Sequence, residues 1–298
     1  MEMLYRKKRD GYNENEYMEG GNCFMKIIDA HLHLVEHDPY FDRIAQNAGH
    51  ANTVEHLKEQ YEKLHITGGV VMGNRGLEPE RHQYPQWLRY CIGLDRSFLE
   101  HHQVTKVLDQ IEYHLRCANC AGIKLYPGYN PIYITDIVYE PVYELAEKYQ
   151  KPVAVHTGET AGPNALLKYT HPLTLDEAAV KHPHVQFVMC HFGNPWLADA
   201  AAVVSKNPNV AADLSGLLEG QFDVQRLCGD RRWYLDTLRA WLCYLDYSRF
   251  MFGTDWPLVN LEQYIQFIQE LVPEKHQEAV FYENAARIYG FETAYTVL

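Results

Sequence analysis

From residue 26 onward, short apolar runs alternate with longer stretches whose apolar positions recur every three or four residues. The short runs are 26–34 (KIIDAHLHL), 66–73 (ITGGVVMG), 90–95 (YCIGLD), 120–127 (CAGIKLYP), 152–158 (PVAVHTG), 185–193 (VQFVMCHFG), 210–216 (VAADLSG) and 249–257 (RFMFGTDWP). Each predicts a strand. The stretches between them predict helices: TVEHLKEQYEKL, VTKVLDQIEYHL, YEPVYELAEKY, TLDEAAVKH, WLADAAAVVSK, DTLRAWLCYL and LEQYIQFIQEL. In the third, Val142, Leu145, Ala146 and Tyr149 share a stripe while Glu144, Glu147 and Lys148 face out. HQEAVFYENAARIYGF adds a last helix ended by Gly290, and the segment between the second and third strands carries the weakest helix signal.

Strict strand-then-helix alternation implies parallel strands joined by right-handed crossovers. Eight such units in about 270 residues fit a closed (β/α)8 barrel, the TIM barrel of the α/β class. An open doubly wound sheet would want a Gly-rich phosphate loop after its first strand, and HLHLVEHDPY stands there instead. One domain is therefore expected over residues 25–298. Residues 1–24, polar and Gly/Asn/Glu-rich, are expected to form a short flexible N-terminal leader. A basic cluster at 6–9 is followed by no apolar region, so no signal peptide is expected.

Composition narrows the function classes. The chain has 298 residues, 47% hydrophobic and 22% charged, with a net charge of −12. That balance argues against nucleic acid or an anionic membrane as partner, but leaves an anionic small molecule open, because a few buried cations override the bulk field locally. No apolar run approaches the roughly 18 residues of a membrane span. Seven scattered cysteines make a poor disulfide framework, so a reducing, cytoplasmic compartment is expected. The C-x-x-C at Cys117 and Cys120 has no second pair at zinc-knuckle spacing.

In a barrel, chemistry gathers at the C-terminal ends of the strands. Those ends carry His31 and His33, Lys124, His156, His191 and Asp255. Alternation within IIDAHLHL places Asp29, His31 and His33 on one face and Ile28, Ala30, Leu32 and Leu34 on the other, so the polar face is expected to look into the barrel mouth. Neutral imidazoles with a carboxylate are a ligand set for zinc and related divalent ions. Softer candidates surround them. Arg75 is placed to neutralise an anionic substrate, Glu159 to line the pocket, and Tyr126, Trp196 and Trp256 to wall it. Asp213 and Ser215 end strand seven, where they can support the ligands, while His37, His50, His101, His102 and His171 read as loop or surface residues.

The ordered motifs DAHLH, GIKLYP, PVAVHTG, CHFGNP, DLSG, FGTDWP and NAARIYG, from about 26 to 291, resemble the amidohydrolase superfamily of metal-dependent barrel enzymes. The resemblance is to its amidohydrolase-related branch, which includes aminocarboxymuconate-semialdehyde decarboxylase. It implies that His31, His33, His156 and Asp255 surround one divalent metal, zinc foremost. It also implies that Asp255 accepts a proton from the activated water and that His191 hydrogen-bonds that water or the substrate oxygen. Lys124 stays open between three roles: a carboxylated bridge between two metals, a contact to substrate or water, and an ion pair with Asp29 or Asp255. The expected reaction is hydrolysis of an amide, lactone or ester of a small organic substrate. Non-oxidative decarboxylation on the same cage is the alternative, and a non-catalytic binding barrel is the third reading. A small-molecule partner, such as a carboxylate, and a homodimer complete the expectations.

Overall fold

The eight strands form where alternation predicts them: β1 (Ile27–Leu32), β2 (Ile66–Met72), β3 (Leu88–Leu94), β4 (Cys120–Leu125), β5 (Val153–Val155), β6 (Phe187–Met189), β7 (Val210–Asp213) and β8 (Phe250–Met251). The computed structural model describes residues 25–95 and 104–291. Every neighbouring pair is parallel and the strands lie in chain order. Hydrogen bonds from Ala30 N to Phe252 O (2.9 Å) and from His33 N to Trp256 O (2.8 Å) close the last strand onto the first. The fold is a (β/α)8 barrel.

Two apolar layers follow from the two faces of each strand. Inward residues are small or slim, among them Ala30, Cys91, Ala121, Ala154 and Ala211, because eight strands leave a narrow interior. Outward residues such as Leu88, Ile123 and Phe187 pack against the helices. The helical layer comprises α1 (Pro39–Asn47), α2 (Val54–Lys63), α3 (Val104–Arg116), α4 (Glu140–Tyr149), α5 (Leu173–Lys181), α6 (Leu197–Lys206), α7 (Val224–Asp230), α8 (Arg232–Tyr244) and α9 (Leu261–Leu271). The last predicted helix is divided into α10 (Glu274–Glu278), a π-helical turn (Ala279–Glu283) and α11 (Asn284–Tyr289), ended by Gly290 at φ 71°. Tyr289, Ala285 and Ala286 of α11 join the inner cluster.

The structure departs from the expectations in three places. Helices α1 and α7 were not predicted. The weak segment between β2 and β3 contains only a 3-10 turn at Pro79–Arg81. The third departure is in β1. Asp29 pairs with Gly69 and Leu32 with Val71, so three steps on β1 match two on β2. This β-bulge reverses the alternation. His31 and His33 face the mouth, whereas Asp29 turns to the helical layer and accepts a hydrogen bond from Tyr61 of α2 (2.8 Å). His50 lies in a loop, one of the two expected places, and is buried there with its Nδ1 3.1 Å from His56 Nε2. The expected leader, residues 1–24, and His101 and His102 lie outside the described residues.

Candidate metal centre

The loop after β8 is fastened to the end of β1. Asp255 N donates to His31 O (2.8 Å), and buried Asp29 accepts from Thr254 N (2.9 Å) and Thr254 Oγ1 (2.6 Å). Burial raises the Asp29 carboxyl to about 6, against the opposing pull of these donors. The fastening brings Asp255 Oδ1 to 3.3 Å from both His31 Nε2 and His33 Nε2.

The remaining ring nitrogens fix the tautomers. His31 Nδ1 lies 2.9 Å from Asp213 Oδ2, and an ionised carboxylate only accepts, so Nδ1 carries the hydrogen and Nε2 is bare. His33 Nδ1 lies 3.1 Å from the Met72 carbonyl, with the same consequence. Two imidazole lone pairs and a carboxylate oxygen thus converge with no proton among them. His31 Nε2 and Asp255 Oδ1 are buried without any hydrogen-bond partner. Such orphans cost about 1–3 kcal/mol each, more when charged. A divalent cation satisfies all three at once, and the N, N, O donor set suits zinc-like ions. Among the described residues, His31, His33 and Asp255 form one of two groups able to hold an ion; His31, His191 and Asp213 form the other. Burial pushes His31 down to about 4, with the Lys124 charge adding to it, so the ring is neutral near pH 7. Asp255 is held well below the usual carboxylate range: burial opposes ionisation, but whenever a proton enters the cluster a hydrogen bond from His33 and the charge of the neighbouring imidazoles outweigh it.

A second chain of contacts starts from Asp213. Its Oδ1 accepts from His191 N (2.9 Å) and from Ser215 Oγ (2.5 Å), which leaves the Ser215 oxygen to accept from His191 Nδ1 (2.8 Å). His191 Nε2 then faces His156 Nδ1 at 3.2 Å, while His156 Nε2 donates to Glu159 O (3.0 Å). These two facing nitrogens are also bare, so the pair awaits a donated proton or an ion. Burial lowers both rings' pKa, so both are neutral near pH 7. His191 (φ 62°) and Asp255 (φ 55°) occupy the left-handed region, a cost of about 1–3 kcal/mol each that clusters at functional sites. Gly216 sits against His191, where a Cβ would come within 2.7 Å of Nδ1.

A family model described as Amidohydrolase matches residues 28–291. The chain belongs to the amidohydrolase family. It is accordingly an enzyme of the amidohydrolase superfamily. No curated protein matches it. Among solved structures, this amidohydrolase resembles an amidohydrolase from Burkholderia multivorans with bound zinc (16% identity, TM-score 0.65, 89% of this chain and 99% of that one). It also resembles a protein assigned as a 2-pyrone-4,6-dicarboxylic acid hydrolase from Pseudomonas putida (18%, TM-score 0.60, 90% and 99%). A third is 2,6-dihydroxybenzoate decarboxylase from Rhizobium (15%, TM-score 0.62, 89% and 99%). At these identities the likeness concerns the fold.

The other predicted residues take varied places in the amidohydrolase. His156 stands behind His191, outside the group formed by His31, His33 and Asp255. Lys124 is fully buried and its Nζ lies 2.8 Å from Cys190 Sγ, with no carboxylate partner among the described residues. Tyr126 donates its hydroxyl to Gly73 O (2.8 Å), tying β4 to the end of β2. Arg75 donates to the Leu34 carbonyl just past His33. Trp256 does not wall a pocket: it is fully buried with its ring 4.7 Å from that of His50, because the chain turns inward after Asp255. Tyr129, which the sequence did not single out, lies with its ring 5.1 Å from that of His156. Its signal was its place in YPGYN, just past the β4 end.

A cavity of about 740 Å3 borders the His156–His191 pair through Glu159, Asn194 and Gly216, and is lined further by Leu218, Phe222 and Arg231. Of the four predicted substrate contacts, Glu159 lines it; Arg75, Tyr126 and Trp256 do not. Among the described residues no helix is long and apolar enough to cross a membrane.

Proposed function

We propose that this amidohydrolase hydrolyses an amide, lactone or ester of a small organic substrate with one divalent ion, zinc foremost, held by His31, His33 and Asp255. The convergence of His31 Nε2, His33 Nε2 and Asp255 Oδ1 without a shared proton carries the reading. His156, with Nδ1 bare, is the fourth donor of this proposal. A divalent ion there supplies Lewis acidity and brings the pKa of a water towards about 7.

The chain's own groups do the rest. Asp255, ionised near pH 7 and partly open to the mouth, takes the proton of the attacking water and returns it to the leaving group. His191 is locked by Ser215 with Nε2 bare, so it receives a hydrogen bond from the water or from a protonated substrate oxygen. Asp213 holds His31 in the tautomer that leaves Nε2 free. Lys124, beneath these groups, places a cation where negative charge develops on a bound carbonyl or carboxylate.

The likeness to a 2,6-dihydroxybenzoate decarboxylase keeps non-oxidative decarboxylation as the second reading. A panel assay of zinc-reconstituted protein separates them, reading acid release from lactones, amides and esters and CO2 release from hydroxybenzoates and aminomuconates. Acid release that chelation abolishes is expected. CO2 release alone moves the assignment to the second reading, and release of neither product overturns both.

A further inference from the structure

The cavity beside the His156–His191 pair is lined by two guanidinium groups in different states. Arg226 of α7 gives its Nε to Asp230 at 2.9 Å, a pair within one helix. Arg231, at the junction of α7 and α8, has no ion-pair partner among the described residues, although four carboxylates line the same space. Two of these are committed: Asp230 to Arg226, and Asp223 to the α7 N-terminus, where it accepts from Arg226 N (3.0 Å). Glu159 and Glu219 are left, and neither approaches Arg231 within ion-pair distance. The Tyr234 hydroxyl lies 3.1 Å from both Asn194 Oδ1 and Leu217 O. Beyond the effect of burial, the Glu159 charge raises the Tyr234 pKa and the Arg231 charge lowers it.

An unpaired guanidinium in a cavity is a planar fork of donors suited to a carboxylate or similar oxyanion. We propose that Arg231 is a specificity-determining residue that holds an anionic group of a small acid substrate, while the bond to be cleaved lies at His31, His33 and Asp255. The position of the reacting bond rests on the metal-centre reading above. Glu159 and Glu219 sharpen the choice, since they repel an anion from the rest of the wall and leave the guanidinium as its one favourable place.

The test uses the full chain loaded with zinc and two probes, benzoate and isophthalate, titrated by calorimetry. Isophthalate can leave one carboxylate at the centre and present the other to Arg231. The native protein is expected to prefer isophthalate by about tenfold, the effect of one charge-assisted pair partly open to water. R231Q abolishes that preference, whereas R226Q, which removes the same charge from the same cavity, retains it because Asp230 already occupies Arg226. No preference in the native protein, or equal loss in the two variants, overturns the proposal. Chelation of zinc is read separately. Binding of both acids that is indifferent to zinc counts against the metal centre, while an Arg231-dependent preference would still stand.

Discussion

Two hydrogen bonds decide which nitrogen of each strand-one histidine is bare: Asp213 takes the Nδ1 hydrogen of His31, and the Met72 carbonyl takes that of His33. Asp213 is itself held ionised, burial notwithstanding, by His31 and by His191 beside it. D213N is therefore expected to fold but to bind zinc about tenfold to a hundredfold more weakly in competition with a chromogenic chelator. D255N is expected to keep the fold and part of the metal yet lose at least about a hundredfold in kcat, since the amide cannot take the proton. Near-normal turnover in that variant would remove Asp255 from the proton role. At this scale His31 and His33 are legible from a two-residue spacing, and Asp255 from its place at a strand end. Arg231 was not legible, because a helix junction carries no periodicity and only the folded cavity shows its lack of a partner. Trp256 misled for the opposite reason: its position beside Asp255 said nothing of the inward turn that buries it.

Strands and long helices could be read because burial of one face imposes a period. Helix α1 is short, and its start signal, Asp38 capping Tyr40 N (2.8 Å) ahead of Pro39, does not stand out from the polar loop after β1. The β1 bulge has no compositional mark, since one extra residue changes facing without changing the run IIDAHL. The bulge makes its own prediction. With Asp29 turned to the helices, Y61F removes a 2.8 Å hydrogen bond to a buried carboxyl and is expected to cost about 1–3 kcal/mol in urea unfolding, with zinc affinity unchanged. A loss of zinc affinity without loss of stability would place Asp29 in the mouth instead.

Across the whole molecule, buried neutral histidines set the acid limit. Burial lowers His31 and His50 from 6.5 to about 4. Unfolded chains take up these protons below about 6.5 while the folded protein does not, so each contribution is full above that pH and is lost as pH falls towards 4, roughly 3 kcal/mol apiece. Asp29, raised from 3.8 to about 6, acts with the opposite sign: its contribution is present below 3.8 and lost as pH rises through 6. Burial also lowers His82, His114, His156 and His191, so the histidines prevail. Thermal melts of zinc-free protein should fall between pH 7 and pH 4.5; a rise would refute the neutral rings. At pH 7 zinc at a hundred times its Kd should add about 2.7 kcal/mol of stability.

The position of the ion itself is decisive. Anomalous diffraction from a zinc-loaded crystal, recorded on both sides of the zinc edge, should show a peak bonded to His31 Nε2, His33 Nε2 and Asp255 Oδ1 at about 2.0–2.2 Å. A zinc peak remote from these three atoms, or none in protein that binds zinc stoichiometrically, would contradict the account.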